Sequence, residues 1–220
     1  MIELRVADTD EDLEAWRQVR MTVLPDERTL SIEEMRAMDD DERTYLIAFL
    51  DGRLAGSGLG GRSSFGYAGL HPRVLPEARR RGVGSAILRD LADRAIAQGF
   101  TEAGTNIEES GALAFAERFG YAEVDRQVEQ VRTLAADEPW PTIPDGITVV
   151  SMAERPELWA EAYEALALEA FADMATYRPI MVTREQWERD WLDWPEGMFL
   201  ALAGDEIVGC AGLERDDDHP

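Results

Sequence analysis

Lysine is missing from these 220 residues: all 22 basic side chains are arginine, set against 45 Asp and Glu, for a formal net charge of −23. One cysteine, Cys210, and two histidines, His71 and His219, exclude a disulfide framework and a conventional zinc site. The deficit of clustered positive charge argues against nucleic acid, whose binding draws on grouped Lys and Arg. No apolar run approaches the roughly 20 residues that span a bilayer. Met1-Ile2-Glu3-Leu4-Arg5 shows neither the basic nor the apolar region of a leader. The expectation is a soluble, cytoplasmic protein with no metal and with neither nucleic-acid nor membrane partners. Apolar residues make up 45%, enough to bury a core. The acid surplus can steer a cationic amine toward the protein. It serves equally well to keep the surface solvated.

What is present falls into two stretches. A Pro-rich segment, residues 135–146 with Pro139, Pro141 and Pro144, interrupts any helix or inner strand and separates 1–134 from 147–220. The first stretch opens with an alternating strand, Ile2–Val6. Thr9-Asp10-Glu11-Asp12 then resembles a helix start, and Ser31-Ile32-Glu33-Glu34 is a fuller capping box. A hairpin comes next, Tyr45–Leu50 and Arg53–Leu59 about Asp51-Gly52.

The second stretch repeats this order. A strand over 146–150 precedes a helix over 157–171, a capping box at Thr183-Arg184-Glu185-Gln186, and a hairpin over 198–210 about Gly204-Asp205. The hairpins Tyr45–Gly56 and Met198–Gly209 lie 153 positions apart, and the capping boxes 152 (31 to 183). Two landmarks whose offsets agree within one residue imply an internal duplication. On that offset Pro220 matches Tyr67, so the second copy is expected to lack every element beyond the third strand. Its third strand would be a bare sheet edge, covered by the first half or by another chain in a homo-oligomer. Cys210 reads as a small apolar core residue.

The chemistry concentrates in Val74-Leu75-Pro76-Glu77-Ala78-Arg79-Arg80-Arg81-Gly82-Val83-Gly84-Ser85. A strand over 67–74, in which Pro72 suggests a bulge or edge, leads into it. An apolar stripe of Ile87, Leu88, Leu91, Ala92, Ala95 and Ile96 places a helix over 85–98, closed by Gly99. A strand, a glycine turn and a helix start make an anion site, because backbone N–H groups converge where the helix dipole is positive. Gly82 and Gly84 leave room for phosphate oxygens, and Arg79, Arg80 and Arg81 add charge. A plain strand-to-helix turn with solvated arginines is the competing reading. Gly56-Ser57-Gly58-Leu59-Gly60-Gly61 also fits G-x-G-x-x-G, but no helical period comes after it, so it reads as a flexible strand end and loop.

Arg79-x-x-Gly82-x-Gly84 after Val74-x-Pro76 resembles the acyl-CoA-binding motif of the GNAT superfamily of N-acyltransferases. The resemblance covers residues 1–134 well and the second stretch only through its third strand. The tandem order resembles that of two-domain members such as the mycothiol synthases. It implies an α/β fold: a mixed central sheet flanked by helices, one complete copy plus an incomplete second one. It further implies that loop N–H groups from Arg79 to Ser85, Val83 included, hold a CoA pyrophosphate. The pantetheine arm would pair with the strand before the loop, on backbone groups from Leu70 to Val74 and Leu75. Acetyl-CoA is thus the implied co-substrate, and a small-molecule amine the acceptor.

The chain departs from the family downstream. A strand is expected over 101–107 and a short helix over 110–119, with Gly120 at its exit. In the family a tyrosine of this segment often protonates the departing thiolate; here that position is Ala116, and Glu109 stands where an Asn is usual. The remaining candidates for proton transfer near the strand ends are Tyr67, His71, Glu108, Glu109 and Ser110. The stretch 122–134 has room for one long strand where the family has a hairpin. Three functions are open to such a chain: a small-molecule N-acetyltransferase; a silent acyl-CoA-binding module, which Ala116 favours; or the structural copy of a longer tandem transferase.

Overall fold

Alternating burial along β1 (Ile2–Val6) sets the edge of the first sheet in the computed structural model. The structure describes residues 1–38, 41–107, 110–126, 128, 132–133, 137–139, 141–174, 176–179, 182–191 and 194–213. They divide into two compact units, Met1–Ala122 and Glu123–Pro220.

In the first unit Thr9 caps α1 (Asp10–Val23) by accepting the Asp12 N–H at 3.2 Å, with three carboxylates in the first turn to suit the helix dipole. Ser31 and Glu34 form the full reciprocal box on α2 (Ile32–Ala37). The hairpin is β2 (Thr44–Leu50) and β3 (Arg53–Arg62), turned by Asp51 and Gly52, both at positive φ. Then come β4 (Ala68–Val74), α3 (Val83–Ala97), β5 (Ala103–Gly104) and α4 (Ser110–Arg118). The sheet order is β1-β2-β3-β4-β5, antiparallel except for the parallel β4–β5 pair.

Both faces of this sheet are covered. On one, α3 buries Ile87, Leu88 and Leu91 against Leu46, Ala48, Leu50 and Leu70. On the other, Leu13, Trp16 and Met35 of α1 and α2 pack on Tyr45 and Ile47. β2 is accordingly buried nearly throughout. The glycine run in β3 is neither loop nor strand end, as its composition suggests. A Cβ on Gly58 would lie 2.5 Å from Ile87, and one on Gly60 3.1 Å from Leu91, so these glycines admit α3 onto the sheet.

The second unit contains β6 (Ile147–Ser151), β7 (Met198–Ala203) and β8 (Glu206–Gly212) in the order β6-β7-β8. Between β6 and β7 runs a helical segment of α5 (Trp159–Ala162), a π turn at Tyr163–Ala167 and α6 (Leu168–Asp173), and then α7 (Arg184–Trp191). The Thr183–Gln186 box is reciprocal, at 2.9 and 3.2 Å. Among the described residues helices cover one face: Leu200, Leu202 and Ile207 are buried with Trp159 and Trp187. On the opposite face β7 alternates to half-buried Phe199 and Ala201, paired with exposed Ala211 and half-buried Gly209, while Val149 is 43% exposed. Both hairpins carry a register shift, at Ala48/Phe49 and at Ala201/Leu202, again 153 positions apart (48 to 201).

Several expectations need correction. β5 is two residues rather than a strand over 101–107, because β4 carries a proline where the ladder would continue. None of the described residues of 122–134 lies in a strand. Cys210 is exposed rather than a core residue, on β8 opposite Leu200 of β7.

Candidate functional site

The direction of the main-chain groups of β4 builds the site. The Ala68 N–H donates to Glu102 at 3.0 Å, so even-numbered residues face β5. The Leu75 N–H donates to Ala55 at 3.0 Å, so odd-numbered residues face β3. Pairing with β5 stops at Gly69–Gly104, where the Leu70 N–H is aimed at the Gly104 carbonyl. The next residue facing that edge is Pro72, which has no N–H with which to continue the ladder. The strands therefore part, and β5 ends. Beyond the parting the edge offers the carbonyls of Leu70 and Pro72 and the N–H of Val74; the Val74 carbonyl accepts Arg79 Nε at 3.2 Å.

This opened edge leads into the glycine loop. A short 3₁₀ turn, Pro76–Ala78, precedes Arg80, a non-glycine residue at φ 61°, and Gly82 at φ 90°, which caps α3 with no side chain. The first turn of α3 contains no carboxylate of its own, so no acidic side chain of that turn competes for its N–H groups. Gly84 sits where a Cβ would lie 3.3 Å from Val74 and 3.6 Å from Phe115, bringing the loop backbone up to β4 and α4. Arg81 is held by Asp51 at 2.9 Å, whereas Arg80 makes no hydrogen bond or ion pair among the described residues. Ser85 is buried and accepts Arg118 Nη2 of α4 at 2.9 Å, an anchor between residues 33 apart that no sequence pattern announces.

The proton-transfer candidates are scattered. Tyr67 lies at the closed end of β4, its ring stacked on Phe65 and filling the space over Gly104, with the glycine loop at the other end of the strand. Ala116 is buried. Ser110 opens α4, and Glu108 and Glu109 lie outside the described residues.

His71 is close to the parting, with Nδ1 3.2 Å from Thr105 Oγ1. Burial, then the charges of Arg73 and Arg20, pushes its pKa down to about 4, so the ring is neutral near pH 7. In the unfolded chain the ring takes a proton near pH 6.5. Protonation therefore favours unfolding as pH falls from 6.5 toward 4, by up to about 3 kcal/mol. Urea denaturation across this range should show that loss, and His71→Gln should flatten it; an unchanged slope in the variant would place the acid sensitivity elsewhere.

The Acetyltransferase (GNAT) family model matches residues 7–121, just over half of the chain. A mycothiol acetyltransferase of Catenulispora acidiphila is 34% identical over 142 residues, covering 62% of this chain and 43% of the relative. Another, from Brachybacterium faecium, is 32% identical over 169 residues, 72% of this chain and 48% of the relative. The chain spans about half the length of the curated relatives it matches. Among solved structures, an aminoglycoside antibiotic 6'-N-acetyltransferase from Acinetobacter baumannii superposes with a TM-score of 0.50 at 20% identity. It covers 61% of this chain and all of that one, a likeness of fold. No helix of the described residues is long and apolar enough to cross a membrane.

Proposed function

Because the chain belongs to the GNAT family of acetyltransferases, we propose that its first unit holds acetyl-CoA and that the acetyl group passes to the amine of a small molecule. The observation carrying this reading is the continuity of the opened β4 edge with the bare N-terminus of α3. A molecule with a pyrophosphate at one end and an amide-bearing arm at the other matches both parts. The N–H groups of Gly82, Val83, Gly84 and Ser85 suit the pyrophosphate, with Arg79, Arg80 and Arg81 around them. The Val74 N–H suits an amide carbonyl of the arm.

Transfer by direct attack needs a neutral amine near the thioester carbonyl. The nitrogen lone pair forms the C–N bond, the carbonyl π pair moves onto oxygen, and collapse breaks the C–S bond. The thiolate leaves with a proton, and the new amide loses one. Neutral His71, beside Thr105 at the parting of the strands, is the proposed relay of a proton to water. The family assignment also puts the amine form of mycothiol first in an acceptor panel, as the curated relatives carry that name.

Ala116 and Pro72 favour a second reading, in which the first unit binds acetyl-CoA and turns it over slowly or not at all. Calorimetric titration with acetyl-CoA, together with thiol release over the amine panel, separates the two. Saturable binding with amine-dependent release is the expected result. Binding without release selects the second reading, and no binding removes both.

A further inference from the structure

Pro72 does more than end the β4–β5 ladder. Three even-numbered residues lie beyond Ala68 along the edge of β4 that faces β5: Leu70, Pro72 and Val74. The N–H of Leu70 belongs to the paired stretch opposite Gly104. That of Val74 lies at the loop end, where the Val74 side chain is 3.3 Å from the position of a Cβ on Gly84. If the pyrophosphate occupies the loop, the arm runs from Val74 toward Gly69, because the pairing closes the cleft at Gly69–Gly104. Its reactive end then lies deeper than Val74, beside Pro72. Strand residues rise about 3.3 Å each, so the Val74 N–H is roughly 7 Å back along the edge from Pro72. The Thr105 hydroxyl at the parting is engaged with His71.

We propose that Pro72 limits acetyl transfer in the first unit by leaving the thioester carbonyl without a main-chain hydrogen-bond donor from β4. This rests on the proposed binding of acetyl-CoA along β4 and adds a cause for slow turnover independent of Ala116. The chemistry is specific to the attack step. When the amine adds, negative charge develops on the carbonyl oxygen, and a preorganised N–H within about 3 Å stabilises that charge far more than it stabilises the ground state. A proline at this position contributes a carbonyl, which repels the developing oxyanion, and no proton. Ground-state affinity is set elsewhere, by the loop, so the deficit falls on kcat and not on binding.

The test restores the N–H with Pro72→Ala and, to keep strand propensity high, Pro72→Val. Three quantities are read on the full chain: the calorimetric Kd for acetyl-CoA, kcat for amine-dependent thiol release, and the infrared stretch of a 13C-labelled acetyl carbonyl in bound acetyl-CoA. The expected result is an unchanged Kd, a rise in kcat of about a hundredfold, and a shift of the carbonyl band to lower frequency. The band reports polarisation without turnover, which a purely structural effect of proline would not move. An unmoved band with unchanged kcat overturns the inference. Loss of acetyl-CoA affinity in both variants also overturns it, since the new N–H would then be extending the ladder and closing the cleft. Failure of the unaltered chain to bind acetyl-CoA overturns the inference together with the reading beneath it; normal binding with unresponsive variants overturns the inference alone.

Discussion

Gly84→Glu leaves the first unit folded and weakens acetyl-CoA binding by about a thousandfold. A carboxylate about 4 Å from a phosphate at an effective dielectric of 20 costs about 4 kcal/mol, which is close to three decades of affinity. Gly84 is in α3 proper and its φ is not positive, so a side chain there carries no backbone penalty. Its Cβ would meet Val74 at 3.3 Å and Phe115 at 3.6 Å, contacts that small movements relieve. Gly82, at φ 90°, is the poorer choice, since any other residue there strains the helix cap as well. The measurement is calorimetric titration alongside far-UV circular dichroism. Retained affinity in a folded Gly84→Glu protein would falsify the assignment of the loop to phosphate.

The second large effect is on the fold. Gly56→Ala adds one methyl group on the α3 face of β3, where it would lie 2.6 Å from the carbonyl oxygen of Arg73 and 3.1 Å from Ile87. Ile87 has side-chain freedom, but the carbonyl belongs to the β3–β4 ladder through the Gly56–Val74 and Ser57–Arg73 pairs. Relief therefore means moving β4, the strand that carries the proposed binding edge. A loss of about 3 kcal/mol is expected, at the upper end for overpacking by one group. Urea unfolding of the full chain should show it as an earlier midpoint for the first unit. Acetyl-CoA affinity should fall with it, because the Val74 N–H shifts. A variant as stable as the parent would mean that β3 and β4 approach less closely than 2.6 Å implies.

Local chemistry made much of this legible in the sequence. The Ser31–Glu34 and Thr183–Gln186 boxes, the Asp51-Gly52 turn and the stripe of α3 each depend on residues a few positions apart, and each formed where its pattern lay. The parting of β4 from β5 did not show, although Pro72 was in plain view as a strand irregularity. Its effect depends on which edge of β4 the missing N–H faces, and that is fixed by long-range pairing with β3 and β5. The glycines of β3 misled for a similar reason: their flexibility is the local signal, while close approach by α3 is a property of the packed layers. Arg118 on Ser85 was likewise out of reach of any short pattern. Of the candidate site residues, the loop stands as one piece of backbone next to the open edge, whereas Tyr67 and His71 are separated along β4.

The strands β2 and β7 differ in their cover. Thr44–Leu50 and Met198–Ala203 are similar apolar runs, yet among the described residues the first is enclosed by helices on both faces and the second on one. Native protein therefore presents a small patch around Val149 and Ala211 to solvent. Environment-sensitive dyes such as anilinonaphthalene sulfonate should fluoresce with the folded chain before any denaturant is added. In a thermal-shift screen for acetyl-CoA or amine ligands, that starting signal belongs to the second unit and would compress the apparent transition of the first. Intrinsic fluorescence divides the units more cleanly: Trp16 is the lone tryptophan before residue 123, and its indole N–H is bonded to Gly58 of β3 at 2.8 Å. Replacing the tryptophans of the second unit with phenylalanine would leave Trp16 as a reporter for the sheet that carries the loop.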